Sequence, residues 1–224
     1  MSRTTFTWLG QAGLLFKIGG LTVMVDPYLS DSCAAVACHR HMPIDERFLS
    51  VTPDILLLTH NHLDHTDPET LAHILRENTS VTVLCPRSSW QHIRTYPGSH
   101  NPVQMSPGVV WTQGKVTFTA VGAAHSDPDA IGFLMYDGER TYYITGDTLY
   151  TPALLADFPP IDTVFLPING RGNNMNATDA AKLAAQIGAR RACPIHWGML
   201  DTLTPDIFRY DEVLVPQLYL PLTL

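Results

Sequence analysis

Apolar positions along this chain fall mostly in short alternating or continuous runs, interrupted by Gly, Pro and Asp, a rhythm that belongs to strands rather than long helices. Residues 5–9, 13–18 and 21–25 are β-prone, and Gly19-Gly20 makes a hairpin turn between the last two. Asp26-Pro27 ends the third strand. Residues 30–50 carry Cys33, Cys38, His39, His41 and Pro43 without a period, so a surface excursion is expected there. The DILLLT run at 54–59 is uninterrupted and apolar, as in a strand buried on both faces.

A helix is predicted over 68–77: Asp67 can cap it, Pro68 suits its first turn, and Leu71, Ile74 and Leu75 share a face. Residues 81–85 read as a strand and 88–94 as a short helix. A second group of strands follows at 109–111, 116–121, 132–136 and 141–145, with Asp137-Gly138 as a hairpin turn. Strands at 163–166 and 192–195 flank a helix at 178–187, where repeated Ala suits close packing. No linker and no internal repeat divides the chain. Two β-rich halves, each bringing helices, predict an α/β protein: a four-layer αββα sandwich, one domain over residues 1–224.

Composition narrows the function classes. With 45% hydrophobic and 16% charged residues the chain belongs with soluble globular proteins, which excludes disordered and low-complexity architectures. No apolar run approaches the ~20 residues of a membrane span, and the start MSRTTFTWLG carries no apolar secretion signal. A formal charge of −7 argues against nucleic acid as a partner, because that affinity rests on Lys and Arg. The four cysteines fit neither a disulfide framework nor paired zinc-site spacing, so free thiols in a reducing cytoplasm are expected. A small-molecule substrate is the expected partner, with no membrane and no nucleic acid; assembly into a homo-oligomer is compatible with the sequence.

The ten histidines change the picture most. Directly after DILLL comes Thr59-His60-Asn61-His62-Leu63-Asp64-His65. Alternate residues of an extended segment project to the same side, so His60 and His62 can reach one ion, and a turn lets Asp64 and His65 face a neighbouring position. Imidazole and carboxylate are ordinary metal ligands. Three further candidates each sit just past a predicted strand: His125 in AVGAAHS, Asp147 in YYITGDT and His196 in ACPIHWG. Strand ends are where loops of a layered sheet protein converge on sites.

This set, His60-x-His62-x-Asp64-His65, then His125, Asp147 and His196, resembles the metallo-β-lactamase superfamily of hydrolases in order and context. Within it the chain is most similar to the L-ascorbate-6-phosphate lactonase-like branch, through Trp8-Leu9-Gly10-Gln11-Ala12-Gly13, Val25-Asp26-Pro27-Tyr28-Leu29-Ser30-Asp31, the 166–172 segment LPINGRG and Pro194-Ile195-His196-Trp197-Gly198-Met199. The resemblance implies one metal on His60, His62 and His125 and a second on Asp64, His65 and His196, bridged by Asp147. It also implies Asp26 as a supporting group behind the ligands.

Two divalent ions close together can bring the pKa of a shared water toward ~7, giving a bridging hydroxide without a side-chain nucleophile. The sequence agrees, since it has no GxSxG elbow. Asp64 is the candidate catalytic residue, orienting the water and handling its proton. A His/Asp set without thiolate suits Zn²⁺, Mn²⁺ or Fe, and the lactonase-like resemblance favours Mn²⁺, with Zn²⁺ next. Asn169, Arg171 and Asn176, on the loop after the 163–166 strand, are candidates for binding an anionic group, and Trp197 for walling the pocket. His39 and His41 are expected at the surface. The leading expectation is hydrolysis of a small anionic ester or lactone; the alternatives are a phosphodiesterase and a non-catalytic metal-binding protein that keeps the fold.

Overall fold

A computed structural model describes residues 3–155 and 158–224. Its first sheet comprises β1 (Thr5–Gly10), β2 (Gly13–Ile18), β3 (Leu21–Val25), β4 (Ile55–Leu57), β5 (Thr82–Cys85) and β6 (Asn101–Gln104), joined at its edge by the last strand of the chain. The second comprises β7 (Val110–Gln113), β8 (Val116–Gly122), β9 (Ile131–Tyr136), β10 (Thr141–Ile144), β11 (Thr163–Pro167) and β12 (Arg191–Ile195). The closing strand, β13 (Pro221–Thr223), pairs antiparallel with β1. Between the sheets lies a continuous core in which Phe6 and Phe16 of the first sheet meet Phe165 of the second edge-on, with ring centroids 4.9 and 5.3 Å apart.

Period-two alternation explains the layers. In β3, Val23 and Val25 face the inter-sheet core while Met24 faces outward; in β4, Ile55 and Leu57 face in and Leu56 out. The outward set packs under α1 (Pro68–Ile74) and α2 (Arg87–Ile93). On the far side, Tyr143, Val164 and Leu166 pack under Ala180, Leu183 and Ala184 of α3 (Ala177–Gln186). Helices thus cover both outer faces, and the four-layer αββα arrangement is the one expected.

Local departures from expectation have local causes. β4 is shorter than 54–59 because Thr59 turns its N–H to the Asp26 carboxylate rather than to a neighbouring strand. α1 stops at Ile74, with Leu75 leaving helical geometry as the chain turns toward β5; Asp67 caps its start through the N–H groups of Glu69 and Thr70. The 30–50 excursion contains two short 3₁₀ turns, Ser32–Val36 and Glu46–Ser50. Gly19 and Gly20 have φ of +56° and +87°, the left-handed pair that a tight hairpin requires. No helix among the described residues is long and apolar enough to cross a membrane.

Candidate metal centre

β3 and β4 run parallel, as do β10, β11 and β12, while β8 matches their direction across antiparallel β9. Asp26 and the 60–65 segment therefore leave the first sheet at one end, and His125, Asp147, Asn169 and His196 leave the second sheet at one end. The two groups meet. Gly146 makes this close approach feasible: its φ is +62°, and a Cβ there would lie 2.8 Å from Cβ of Thr59.

Asp26 organises the inner half of the cluster. It is fully buried and holds φ +37°, a conformation that side-chain-bearing residues rarely adopt. Its Oδ1 accepts the Thr59 N–H at 2.8 Å; its Oδ2 accepts the Thr59 hydroxyl at 2.5 Å and pairs with His65 Nδ1 at 2.8 Å. Because the Thr59 hydroxyl donates to Asp26, its lone pair is left for Nδ1–H of His60, 3.0 Å away. Each imidazole is thus held through Nδ1 and turns its Nε2 inward, an arrangement common to metal-bound histidines.

Nε2 of His60, Nε2 of His65 and Oδ1 of Asp147 are all buried without a hydrogen bond. Leaving them so costs about 1–3 kcal/mol each, and a divalent cation is the partner their chemistry fits. Three triads have donor atoms mutually within 4.8 Å: His60/His62/His125, His60/His65/Asp147 and Asp64/His65/His196. Asp147 Oδ2 stands 3.4 Å from His65 Nε2 and 3.1 Å from His196 Nε2, between the outer triads. These triads together contain all seven predicted ligands.

The cluster opens into a cavity of about 340 Å³ lined by His62, Asp64, His125, Asn169, Arg171 and Cys38, among others. Larger recesses of about 650 and 630 Å³ on other parts of the molecule are lined without any of these ligands. Asn169 and Arg171 line the cavity, Asn169 with its amide nitrogen 3.0 Å from His196 Nδ1. Asn176 and Trp197 require correction. Asn176 caps α3, its Oδ1 accepting the N–H groups of Thr178 and Asp179. Trp197 points into the core against Trp8, centroids 4.5 Å apart, with its indole N–H donated to the Pro194 carbonyl. His39 and His41 are exposed and outside the cavity, although their loop contributes Cys38 to its wall.

Residues 22–197 match the profile described as the Beta-lactamase superfamily domain. The chain belongs to that superfamily. A superfamily relative from Carboxydothermus hydrogenoformans, a UPF0173 metal-dependent hydrolase, is 29% identical, covering 92% of this chain and 90% of its own. A similarly named protein from Exiguobacterium is 29% identical over 89% of this chain and 87% of its own. Among solved structures, a possible metal-dependent hydrolase from Veillonella parvula superposes with a TM-score of 0.79 at 18% identity, over the whole of both chains. The metallo-beta-lactamase fold protein YhfI from Bacillus subtilis gives 0.75 at 18%, again over both whole chains. At these identities the structural likeness establishes the superfamily fold.

Electrostatics divide the superfamily centre in this chain into unequal halves. Burial holds His60 and His125 below the ordinary imidazole value, so both are neutral and ready to donate. Burial would push His65 and His196 the same way, but the charges of Asp147 and Asp64 outweigh it. His65 is raised well above its ordinary value and His196 to about 9. The same imidazoles hold Asp64 and Asp147 below the carboxylate range despite their burial.

Sequence reading missed three residues that shape this centre. Gln11, 3% exposed in the β1–β2 turn, donates its amide to Asp64 Oδ2 at 2.8 Å. Asn174 donates to Asp147 Oδ2 at 2.8 Å. Asp127 accepts the Asn61 N–H at 2.9 Å and the Ser88 hydroxyl at 2.7 Å, tying the loop of His125 to that of His60 and His62. None is a metal-ligand type in a recognisable spacing; the hints were the WLGQAG string at 8–13, which holds Gln11, and the Asp-rich SDPD string after His125.

Proposed function

We propose that this protein is a metal-dependent hydrolase that opens an ester-type bond, a lactone in first place, in a small anionic molecule. What carries the reading is one observation: three ligand triads that share His60 and His65 and face one another with buried ligand atoms that make no hydrogen bond. Relatives named metal-dependent hydrolases, matched over about nine tenths of their length, support it. His60, His62 and His125 would hold one cation, Asp64, His65 and His196 the other, with Asp147 between them. When bound, such a pair, Mn²⁺ or Zn²⁺, supplies Lewis acidity and a water acidified toward pKa ~7.

The remaining work falls to the chain itself. Asp64, whose side chain is 17% exposed against 7% for Asp147, lines the cavity and is placed to receive a proton from an entering water. Arg171 brings a guanidinium to the same cavity for an anionic group on the substrate. The cavity, about 340 Å³, lies at the small end of the ~300–1,000 Å³ range of small-molecule sites, which disfavours a macromolecular substrate. All four cysteines are free, in keeping with a reducing compartment such as the cytoplasm.

Metal analysis of protein purified without added metal should find about two ions per chain. Lactones and phosphodiesters are then assayed with Mn²⁺ and with Zn²⁺, and chelation should abolish turnover. Phosphodiester cleavage without lactone opening replaces the first reading with a phosphodiesterase. Two bound ions with no turnover of either class favours a non-catalytic metal-binding protein. Arg171→Ala should raise KM for anionic substrates about tenfold, the worth of ~1.4 kcal/mol of binding, and leave neutral analogues unchanged.

A further inference from the structure

We infer that Gln11 is a positioning residue of this centre: its amide fixes the Asp64 carboxylate against His196 and presets the Asp64/His65/His196 half for its cation. The inference rests on reading the cluster as a metal centre.

The turn joining β1 and β2 carries Gly10 at φ +92° and Gln11 at φ +48°. The second value lies in the left-handed region, where Gly or Asn is the ordinary occupant and a Gln is strained. Strain of this kind persists where surrounding contacts determine it, and here they do. The Gln11 carbonyl accepts the His196 N–H at 2.9 Å and the Trp8 indole N–H at 3.0 Å. The turn is also wedged against the loop after β12, since a Cβ on Gly10 would fall 1.9 Å from Met199 Cε.

From that anchored backbone the side chain reaches the centre. The Gln11 amide nitrogen donates to Asp64 Oδ2 at 2.8 Å and lies 3.1 Å from Nε2 and 3.3 Å from Nδ1 of His196. The imidazole nitrogens of His196 and His65 lie farther from Asp64 Oδ2 than this amide, at 3.4 and 3.6 Å. A carboxylate on a loop, partly exposed to a cavity, would otherwise be free to turn away. The amide is neutral and commits its N–H to Asp64, so Gln11 serves the ligands without being counted among them. Glycine would suit the backbone better, and Asn would be one methylene short of this reach. The side chain, rather than the turn, is what the position retains.

Two substitutions separate positioning from packing. Gln11→Gly removes the side chain and relieves the strained φ, so the metal-free chain should melt at or above the wild-type temperature. Gln11→Met keeps the volume and removes the donor. Both are compared with wild type by chelator competition and by electron paramagnetic resonance of the Mn²⁺-loaded protein. The expected result is a loss of about 10–100-fold in affinity for one ion of two, with the other unchanged. In the spectrum, the signal of a coupled pair should give way to that of an isolated ion. Wild-type affinity for both ions in both variants overturns the inference, and so does an affinity loss matched by a lower melting temperature of the metal-free chain in both. A wild-type protein that takes up only one ion overturns it together with the two-metal reading. A wild-type protein that binds two ions, loses one on substitution and opens no ester supports Gln11 and removes the hydrolase reading alone.

Discussion

A single carboxylate, that of Asp26, orients two imidazoles, one directly and one through the Thr59 hydroxyl. The consequence is testable. Asp26→Asn offers one acceptor oxygen where three donors now converge, so the Nδ1–H of His65 or the Thr59 hydroxyl loses its partner. Affinity for divalent metal should fall by about 10–100-fold, as for other groups that orient a ligand. Competition with a chromophoric chelator measures this directly, and unchanged affinity would remove Asp26 from the centre's design. The same scale explains the misplacement of Trp197. Cys193 and Ile195 face the inter-sheet core, and Trp197, two residues on, falls to the same side and packs onto Trp8, away from His196. Adjacency to His196 in ACPIHWG made Trp197 a pocket candidate. Asn176 is different: an Asn immediately ahead of a helical Ala-rich run is a capping signal, and its polarity drew it into the candidate set instead.

Legibility at the scale of elements followed burial. β2 to β5 and β8 to β12 carry apolar alternation or continuous apolar runs because both faces are covered, and each was readable to within a few residues. β6 and β13 were not. Both are edge strands of the first sheet, both contain proline, and neither places a fully buried residue, so they lack the pattern that burial imposes. The start of β12 illustrates a cost hidden from pattern reading. Arg191 is buried there and is held by Asp162, which lies one residue before β11, with Glu212 farther off at 3.9 Å. Asp162→Ala should destabilise the fold toward the lower end of about 3–5 kcal/mol, the cost of a buried ion stripped of its partner. Arg191 keeps the Asp162 carboxyl below its ordinary value, outweighing burial. Its contribution is therefore complete above the unfolded-chain pKa of ~3.9 and is lost as pH falls through the depressed folded value. Urea titrations should show a gap between wild type and Asp162→Asn at pH 7 that narrows toward pH 3.

The candidate centre draws on both sheets of the molecule. His60, His62, Asp64 and His65 come from the first sheet, whereas His125, Asp147 and His196 come from the second, and all three triads combine the two. Any cation seated in these triads would be a rivet through the sandwich, fastening its halves at the open end much as Phe6, Phe16 and Phe165 fasten them inside. Loading with metal should then raise the melting temperature, since a ligand at a hundred times its Kd adds about 2.7 kcal/mol to the folded state. Scanning calorimetry with and without chelator would register the difference, and identical melting curves would mean that the triads hold no cation across the seam. Cellular metal supply would, on this account, govern how long the folded chain survives as well as how fast it turns over.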